Sequence, residues 1–389
     1  MNGFLARAYA FKLFDSFILI FPLYAVMFVD AGLTPVQVSI VLIAWSATAF
    51  VMEVPAGVVA DRLPRKWVLA AAQTARAAGF TVWWIWPHFW GFLAGLVLWG
   101  LKSAFTNGTF EALVFDELKA EGREGEYVRV IGRARALAAV GVLLASLGAA
   151  LIAGRGYGVA LAGSLASIAV AMACAAALPS AARALSTRSA GYLAHLKAGL
   201  SEAARQPEVL RVIVFAALVL ALGGALEEFW PIFGAKVGLT HSLIALMVGA
   251  QNALEALANT LAHRVSAWRR GAFYGLMIVA GALLVTAAGL FTPWSVALLV
   301  VYSGLMKLTD TVFEGRLQHA IASDNRATIG SVKGFAAQVG VSSLYVLFGP
   351  LAQATSYRIA FMAAGAATAL VGATWLVAAN AGVRRRAPA

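Results

Sequence analysis

The chain has 389 residues, of which 61% are apolar and only 12% charged, and its mean hydropathy is +0.81. Soluble domains carry about 25% charged residues and about 45–50% apolar ones. A soluble, disordered, collagen-like or disulfide-stapled chain is therefore excluded, and an integral membrane protein is expected. The net charge of +12 fits basic loops that orient a membrane protein. No basic block interleaved with aromatics lies outside the apolar runs, so no nucleic-acid partner is expected.

The apolar runs fall at 5–29, 35–60, 67–86, 89–116, 127–153, 158–178, 209–236, 241–263, 271–291, 294–318, 330–354 and 357–379. Each matches the ~20 residues that a helix needs to cross a bilayer, and each is far longer than the ~10-residue alternating strands of a membrane barrel. Twelve helical spans are expected. The first run contains Lys12 and Asp15 and lacks a small-residue cleavage site, so it is a span and not a removable signal. Trp83, Trp84, Trp86 and Trp90 surround the connection after the third run and are expected at the membrane interface. Gly141, Ala145, Gly148 and Ala149 in the fifth run form a small-residue stripe suited to close helix contact. The single cysteine, Cys174, can form no internal disulfide.

Basic residues concentrate in alternate connections, among them Arg62, Arg65, Lys66, Lys119, Arg123, Arg264, Arg269 and Arg270, with Arg384 to Arg386 at the end. The other side holds only Arg155, Lys236 and Arg358. Both termini are then expected to be cytoplasmic. The longest connection divides the chain into a half at 1–178, a linker at 179–208 and a half at 209–389. Within the linker, Tyr192, Leu193, Leu196 and Leu200 recur at helical spacing, which predicts a helix lying in the interface.

The halves repeat one another. Aligning Phe50–Arg62 with Asn252–Arg264 places Glu53 on Glu255 and Arg62 on Arg264. Pro22 and Gly32-Leu33-Thr34 parallel Pro231 and Gly238-Leu239-Thr240. Gly100-Leu101-Lys102 with Phe110-Glu111 parallels Gly304-Leu305 and Lys307 with Phe313-Glu314. Six spans repeated in parallel imply two bundles with a site where they meet.

Gly57-Val58-Val59-Ala60-Asp61-Arg62-Leu63-Pro64-Arg65-Lys66, between the second and third spans, resembles the loop signature G-x-x-x-D-R-x-G-R-K of the major facilitator superfamily, with Pro64 in place of the usual glycine. The resemblance implies that family's all-α membrane fold, with twelve transmembrane helices in two pseudo-symmetric halves of six. It also implies secondary transport by alternating access, and a conformational latch made of Gly57, Asp61, Arg62, Arg65, Lys66 and Asp116. In that latch Gly57 allows close helix approach. Asp61 would meet the start of the eleventh span near Gly330-Ser331, and Arg62 would pair with Asp116.

A charge inside a span costs about 3 kcal/mol or more unless it faces a cavity or a partner. Lys12 and Asp15, three apart, can pair with each other. Glu53, Glu255 and Asp15 are the candidate proton carriers. Lys12, Lys102, Glu227, Glu228, Lys307, Asp310 and Glu314 are the candidate substrate contacts, with Lys307, Asp310 and Glu314 on one helical face. Asn107-Gly108-Thr109 predicts a bend in the fourth span. Within the spans, Asp15, Glu53, Glu111, Glu227, Glu228, Glu255, Asp310 and Glu314 outnumber Lys12, Arg76, Lys102 and Lys307, which leans towards a cationic or zwitterionic substrate or towards several proton sites.

The expected activity is proton-coupled export, by antiport, of a small amphipathic or cationic compound. Import of a nutrient by proton symport and lipid or lysolipid flipping are the alternatives. The fifth span lacks the Gly-Pro pair of antiporters, which favours symport somewhat. No phosphate-binding glycine loop, histidine metal spacing or Ser-His-Asp set occurs, so no enzyme, cofactor or metal is expected. The partners are protons, a small-molecule substrate and the lipid bilayer, for a monomer in a bacterial inner membrane.

Overall fold

The computed structural model describes residues 3–179, 207–320 and 326–386. The predicted linker helix lies outside the described residues. Among them the chain is helical throughout, with no strand. The helices are α1 (Gly3–Ser16), α2 (Tyr24–Asp30), α3 (Pro35–Arg62), α4 (Arg65–Ile85), α5 (Phe89–Thr106), α6 (Thr109–Ala120), α7 (Tyr127–Ile152) and α8 (Tyr157–Ala176). After the linker come α9 (Pro207–Leu220), α10 (Trp230–Lys236), α11 (His241–Val265), α12 (Arg270–Leu290), α13 (Val296–Ala320), α14 (Arg326–Ala354) and α15 (Tyr357–Arg386).

Among the described residues, nine stretches are long and apolar enough to cross a membrane. Three further spans are marked by polar residues or a break: α1 and α2 are separated, α4 carries Arg65, Lys66, Gln73 and Arg76, and α11 carries Gln251, Asn252, Glu255, His263 and Arg264. The result is an all-α membrane architecture of twelve spans.

Local sequence signals set several boundaries. Thr34 and Gln37 form a reciprocal capping box at the start of α3, with Pro35 in the first turn. Gly32 and Gly238, equivalent in the repeat, both adopt positive φ, 91° and 89°. In each case the following amide, Leu33 or Leu239, bonds back to the carbonyl of Phe28 or Gly234. The same Gly-Leu-Thr therefore ends a helix the same way twice. Gly108, at φ 74°, makes the expected break between α5 and α6.

The chain divides into two compact units, one of Met1–Ser189 with Thr240–Gly249 and the other of Ala190–Leu239 with Ala250–Ala389. In the first, α1 packs on α7 and α8, α4 on α5 and α8, and α3 on α5. In the second, α9 packs on α14 and α13, and α12 on α15 and α13. Gly141 meets α1 so closely that a Cβ there would lie 2.5 Å from the Leu13 carbonyl oxygen. One buried core of the first unit gathers Phe4, Phe11, Leu69, Phe110, Val114 and Leu118.

A second buried region of that unit is aromatic. Trp83, expected at the interface, is instead fully buried, stacked on Phe80 and edge-on to Phe28, with its Nε1–H donating to the Phe92 carbonyl. Trp84, Trp86 and Trp90 are exposed. The difference is helical phase: Trp83 shares the face of Phe80 and Gly79, which packs against α5.

Candidate functional site

The first and seventh spans are both discontinuous. α1 stops at Ser16, one residue after Asp15, and α2 begins at Tyr24. The seventh span passes from α9 into a π-helical segment, Ala221–Ala225, then a 3-10 segment, Leu226–Phe229, before α10. Each break precedes or includes the proline of the repeat, Pro22 or Pro231. Proline supplies no amide and disfavours helix in the residue before it. Irregular backbone at membrane depth is tolerated where other protein groups satisfy it. Here Ser164 Oγ of α8 accepts from the Ile20 amide at 3.0 Å, and Ser167 Oγ donates to the Phe14 carbonyl at 2.8 Å. In the second unit Tyr302 of α13 donates to the Leu222 carbonyl at 2.6 Å and contacts Thr368 Oγ1 at 3.2 Å.

Beside the first break lies a buried charge cluster. Asp15 Oδ1 accepts from Gln73 Nε2 at 2.7 Å, from Arg76 Nη2 at 2.9 Å and from Lys102 Nζ at 2.8 Å. Arg76 also donates to the Asp15 main-chain carbonyl and to Gln73 Oε1. The expected Lys12–Asp15 pair is not formed. Lys12 Nζ lies over the Phe110 ring, 4.5 Å from its centroid. The reason is competition, because Arg76 and Lys102 occupy the carboxylate and Arg76 additionally grips its backbone. Arg76 and Gln73 were not among the candidate contacts. Their signal was a lone charge in an apolar run with an amide three residues earlier on the same helical face.

Beside the second break lies an acidic cluster. The carboxyls of Glu227 and Glu255 lie within electrostatic range of each other, and Glu255 Oε1 accepts from Gln251 Nε2 at 3.1 Å. Lys307 pairs with Asp310 at 3.3 Å and lies within electrostatic range of both glutamates. Glu228 is half-buried next to Glu227. Glu314, one turn beyond Asp310, pairs with Lys333 of α14. The tenth-span triad is thus divided: Lys307 and Asp310 face each other, while Glu314 turns to the eleventh span.

Glu53 sits on α3 with an exposed side chain and makes no ion pair among the described residues. In the signature loop, Asp116 takes the guanidinium of Arg65, a residue to which the sequence assigned no specific partner. Asp61, Arg62 and Gly57 are exposed, and a Cβ at Gly57 would meet no atom within 4 Å. Among the described residues Gly57 makes no such close approach, while Gly141 and Gly100 do. Lys66 is half-buried, with its ammonium over the Trp67 ring. The eleventh-span helix starts at Arg326, ahead of the expected Gly330-Ser331. Among the described residues no group of histidine, cysteine and carboxylate side chains could hold a metal ion.

No curated protein sequence matches the chain. Among solved structures, the nucleoside transporter NupG aligns with a TM-score of 0.73 at 16% identity, over 97% of this chain and 99% of that one. A D-xylose-proton symporter aligns at 0.70 and 12%, over 95% and 96%. A bacterial homolog of the human lysosomal transporter Spinster aligns at 0.72 and 16%, over 99% and 97%. At these identities the likeness is one of fold. The profile of the Major Facilitator Superfamily matches residues 5–342, and the chain belongs to that family of secondary transporters.

Proposed function

We propose that the chain moves a small solute across the membrane by alternating access, coupled to proton movement through the Glu227–Glu255 pair. The observation that carries the reading is the placement of two carboxyls from different spans, Glu227 and Glu255, close to each other and to Lys307. Two neighbouring carboxylates repel when both are charged, and one proton held between them relieves that repulsion, so the pair is suited to load and release a proton. It stands beside the irregular segment of the seventh span, the kind of place where transporters of this architecture hold coupling ions. Lys307 is near both glutamates, and its bond to Asp310 can be exchanged for one to either of them. Asp15 and Glu53 remain candidate carriers in the first unit, and Asp61 and Arg62 remain candidate latch residues beside the Arg65–Asp116 bond.

Export by antiport is the direction that the sequence pattern favours, from the inner membrane of a bacterium and with both termini cytoplasmic. Symport is a second reading, favoured by one observation. α7 runs unbroken from Tyr127 to Ile152 with no proline, and its Gly141 serves packing against α1. The structural relatives include a transporter named for proton symport of D-xylose.

The test is proton flux in proteoliposomes with a trapped pH-sensitive dye. Lipophilic cations, anionic metabolites, nucleosides, sugars and lysolipids are each offered against a pH gradient. Solute-dependent alkalinisation of an acidic interior identifies antiport, and solute-dependent acidification with acid outside identifies symport. Glu255→Gln should abolish the pH response while solute exchange at equal pH persists. Retained proton coupling in both Glu255→Gln and Glu227→Gln would remove the pair from the mechanism.

A further inference from the structure

The deep ionisable side chains are sorted by unit. Around the second break Glu227, Glu228, Glu255 and Asp310 accompany Lys307. Around the first break the balance is reversed: Lys12, Arg76 and Lys102 accompany one carboxylate, Asp15. The count over all spans, which leaned towards a cationic or zwitterionic substrate or several proton sites, hides this separation.

Asp15 can neutralise only one of three positive charges. Lys12 has a ring face and forms no ion pair among the described residues, and a ring is a weak substitute for a paired counter-ion, worth about 2 kcal/mol when desolvated. Arg76, 2% exposed, keeps a buried Nε–H that finds no acceptor among the described residues. The other span acids of this unit do not compensate, since neither Glu53 nor Glu111 forms an ion pair among the described residues. Surplus charge in a low-dielectric interior is costly unless something of opposite sign arrives. The cations are also graded in mobility. Arg76 is tied at three points, Lys102 is held by Asp15, and half-buried Lys12 can leave the Phe110 ring without breaking any ion pair.

We propose that Lys12 and Lys102, with Arg76 as fixed positive backing, form a subsite for an oxyanion, a carboxylate or phosphate group carried by the solute. The assignment rests on the transport reading above and names the substrate class for this cluster. Lysine suits it as a flexible point charge with three donors. On arrival the anion takes Lys12 from Phe110 and shares Lys102 with Asp15, so binding is felt at the end of α1 and at the break behind it.

The test uses the full chain in lipid nanodiscs, with thermal unfolding followed during titration of sodium phosphate and sodium acetate. Sodium chloride at matched ionic strength and choline chloride serve as controls. The expected result is saturable protection by phosphate or acetate that chloride and choline do not give. Protection by phosphate alone assigns a phosphate group, and protection by acetate alone assigns a carboxylate. Lys12→Gln, which removes no ion pair, should weaken the response about tenfold or more, and Lys12→Arg should restore it. Superimposable oxyanion and chloride curves, protection by choline, or an unchanged response in Lys12→Gln would overturn the subsite. Parallel flux measurements separate the two claims. Solute-driven proton flux without oxyanion protection removes the subsite and leaves transport. Oxyanion protection without flux for any solute does the reverse.

Discussion

Asp15→Asn is the sharpest probe of the buried cluster, because asparagine keeps the shape and one carbonyl oxygen while removing the charge. Asp15 is 8% exposed, Arg76 2% and Lys102 8%. The two ion pairs, at 2.9 and 2.8 Å, each represent a gross attraction of about 6 kcal/mol at an effective dielectric near 20. Desolvation offsets most of that in the intact cluster, but it is not refunded when only the acid is lost. Removing one member of such a pair costs about 3–5 kcal/mol. The protein in nanodiscs should therefore unfold at a clearly lower temperature in Asp15→Asn. The double variant Asp15→Asn/Lys102→Met should recover part of the loss, since it deletes one of the stranded cations, with a coupling of about 1–3 kcal/mol in the double-mutant cycle. Stability unchanged within about 0.5 kcal/mol, or strictly additive variants, would show that water already solvates the cluster. The argument for surplus interior charge would then fail.

Gly141→Ala should cost about 1–3 kcal/mol and loosen α1 from α7, because the added Cβ would sit 2.5 Å from the Leu13 carbonyl oxygen; an unchanged unfolding temperature would mean that the helices yield freely. Ser164→Ala removes the acceptor of the buried Ile20 amide, a loss of about 1–3 kcal/mol. Hydrogen exchange should rise at Ile20 and its neighbours, and protection equal to the parent would show that another group satisfies this amide. Arg65→Glu should destabilise the signature loop by setting a like charge against Asp116, and Arg65→Asp/Asp116→Arg should restore part of the loss. Equal thermal stability of the single and swapped variants would deny the pair any structural role.

Much of the fold was legible because periodicity and repetition report on backbone. The twelve apolar runs, the Gly108 break and the repeated Gly-Leu-Thr were readable from local chemistry, whereas the Thr34–Gln37 cap emerged only with the structure. The charge clusters were less legible, for a physical reason. Lys12 and Asp15 are neighbours on one helix, but the competing partners of Asp15 come from α4 and α5, which are distant in sequence and adjacent in space. Trp83 illustrates the same limit. A tryptophan near a span end resembles an interface anchor, and only the phase of α4 against α5 decides that it is buried. Glu227 and Glu255 likewise lie in different spans, and no spacing rule joins them.

The repeated prolines carry an implication that links fold to site. Pro22 and Pro231 occupy equivalent places, and each lies at or just after the stretch where its span stops being a regular α-helix. In one unit the freed backbone is met by Ser164 and Ser167, in the other by Tyr302, whose hydroxyl also contacts Thr368. The means of satisfaction differ, while the position of the break is shared. The break is therefore what the duplicated architecture preserves, and the side chains around it are where the halves diverge. Asp15 stands at the end of α1 among cations, and Glu227 stands in the 3-10 turn among acids. Through each break the regular ladder of the α-helix gives way to shorter or longer backbone bonds, supplemented by bonds to side chains of neighbouring helices. Charge arriving at either cluster would therefore act beside the irregular stretch of its span.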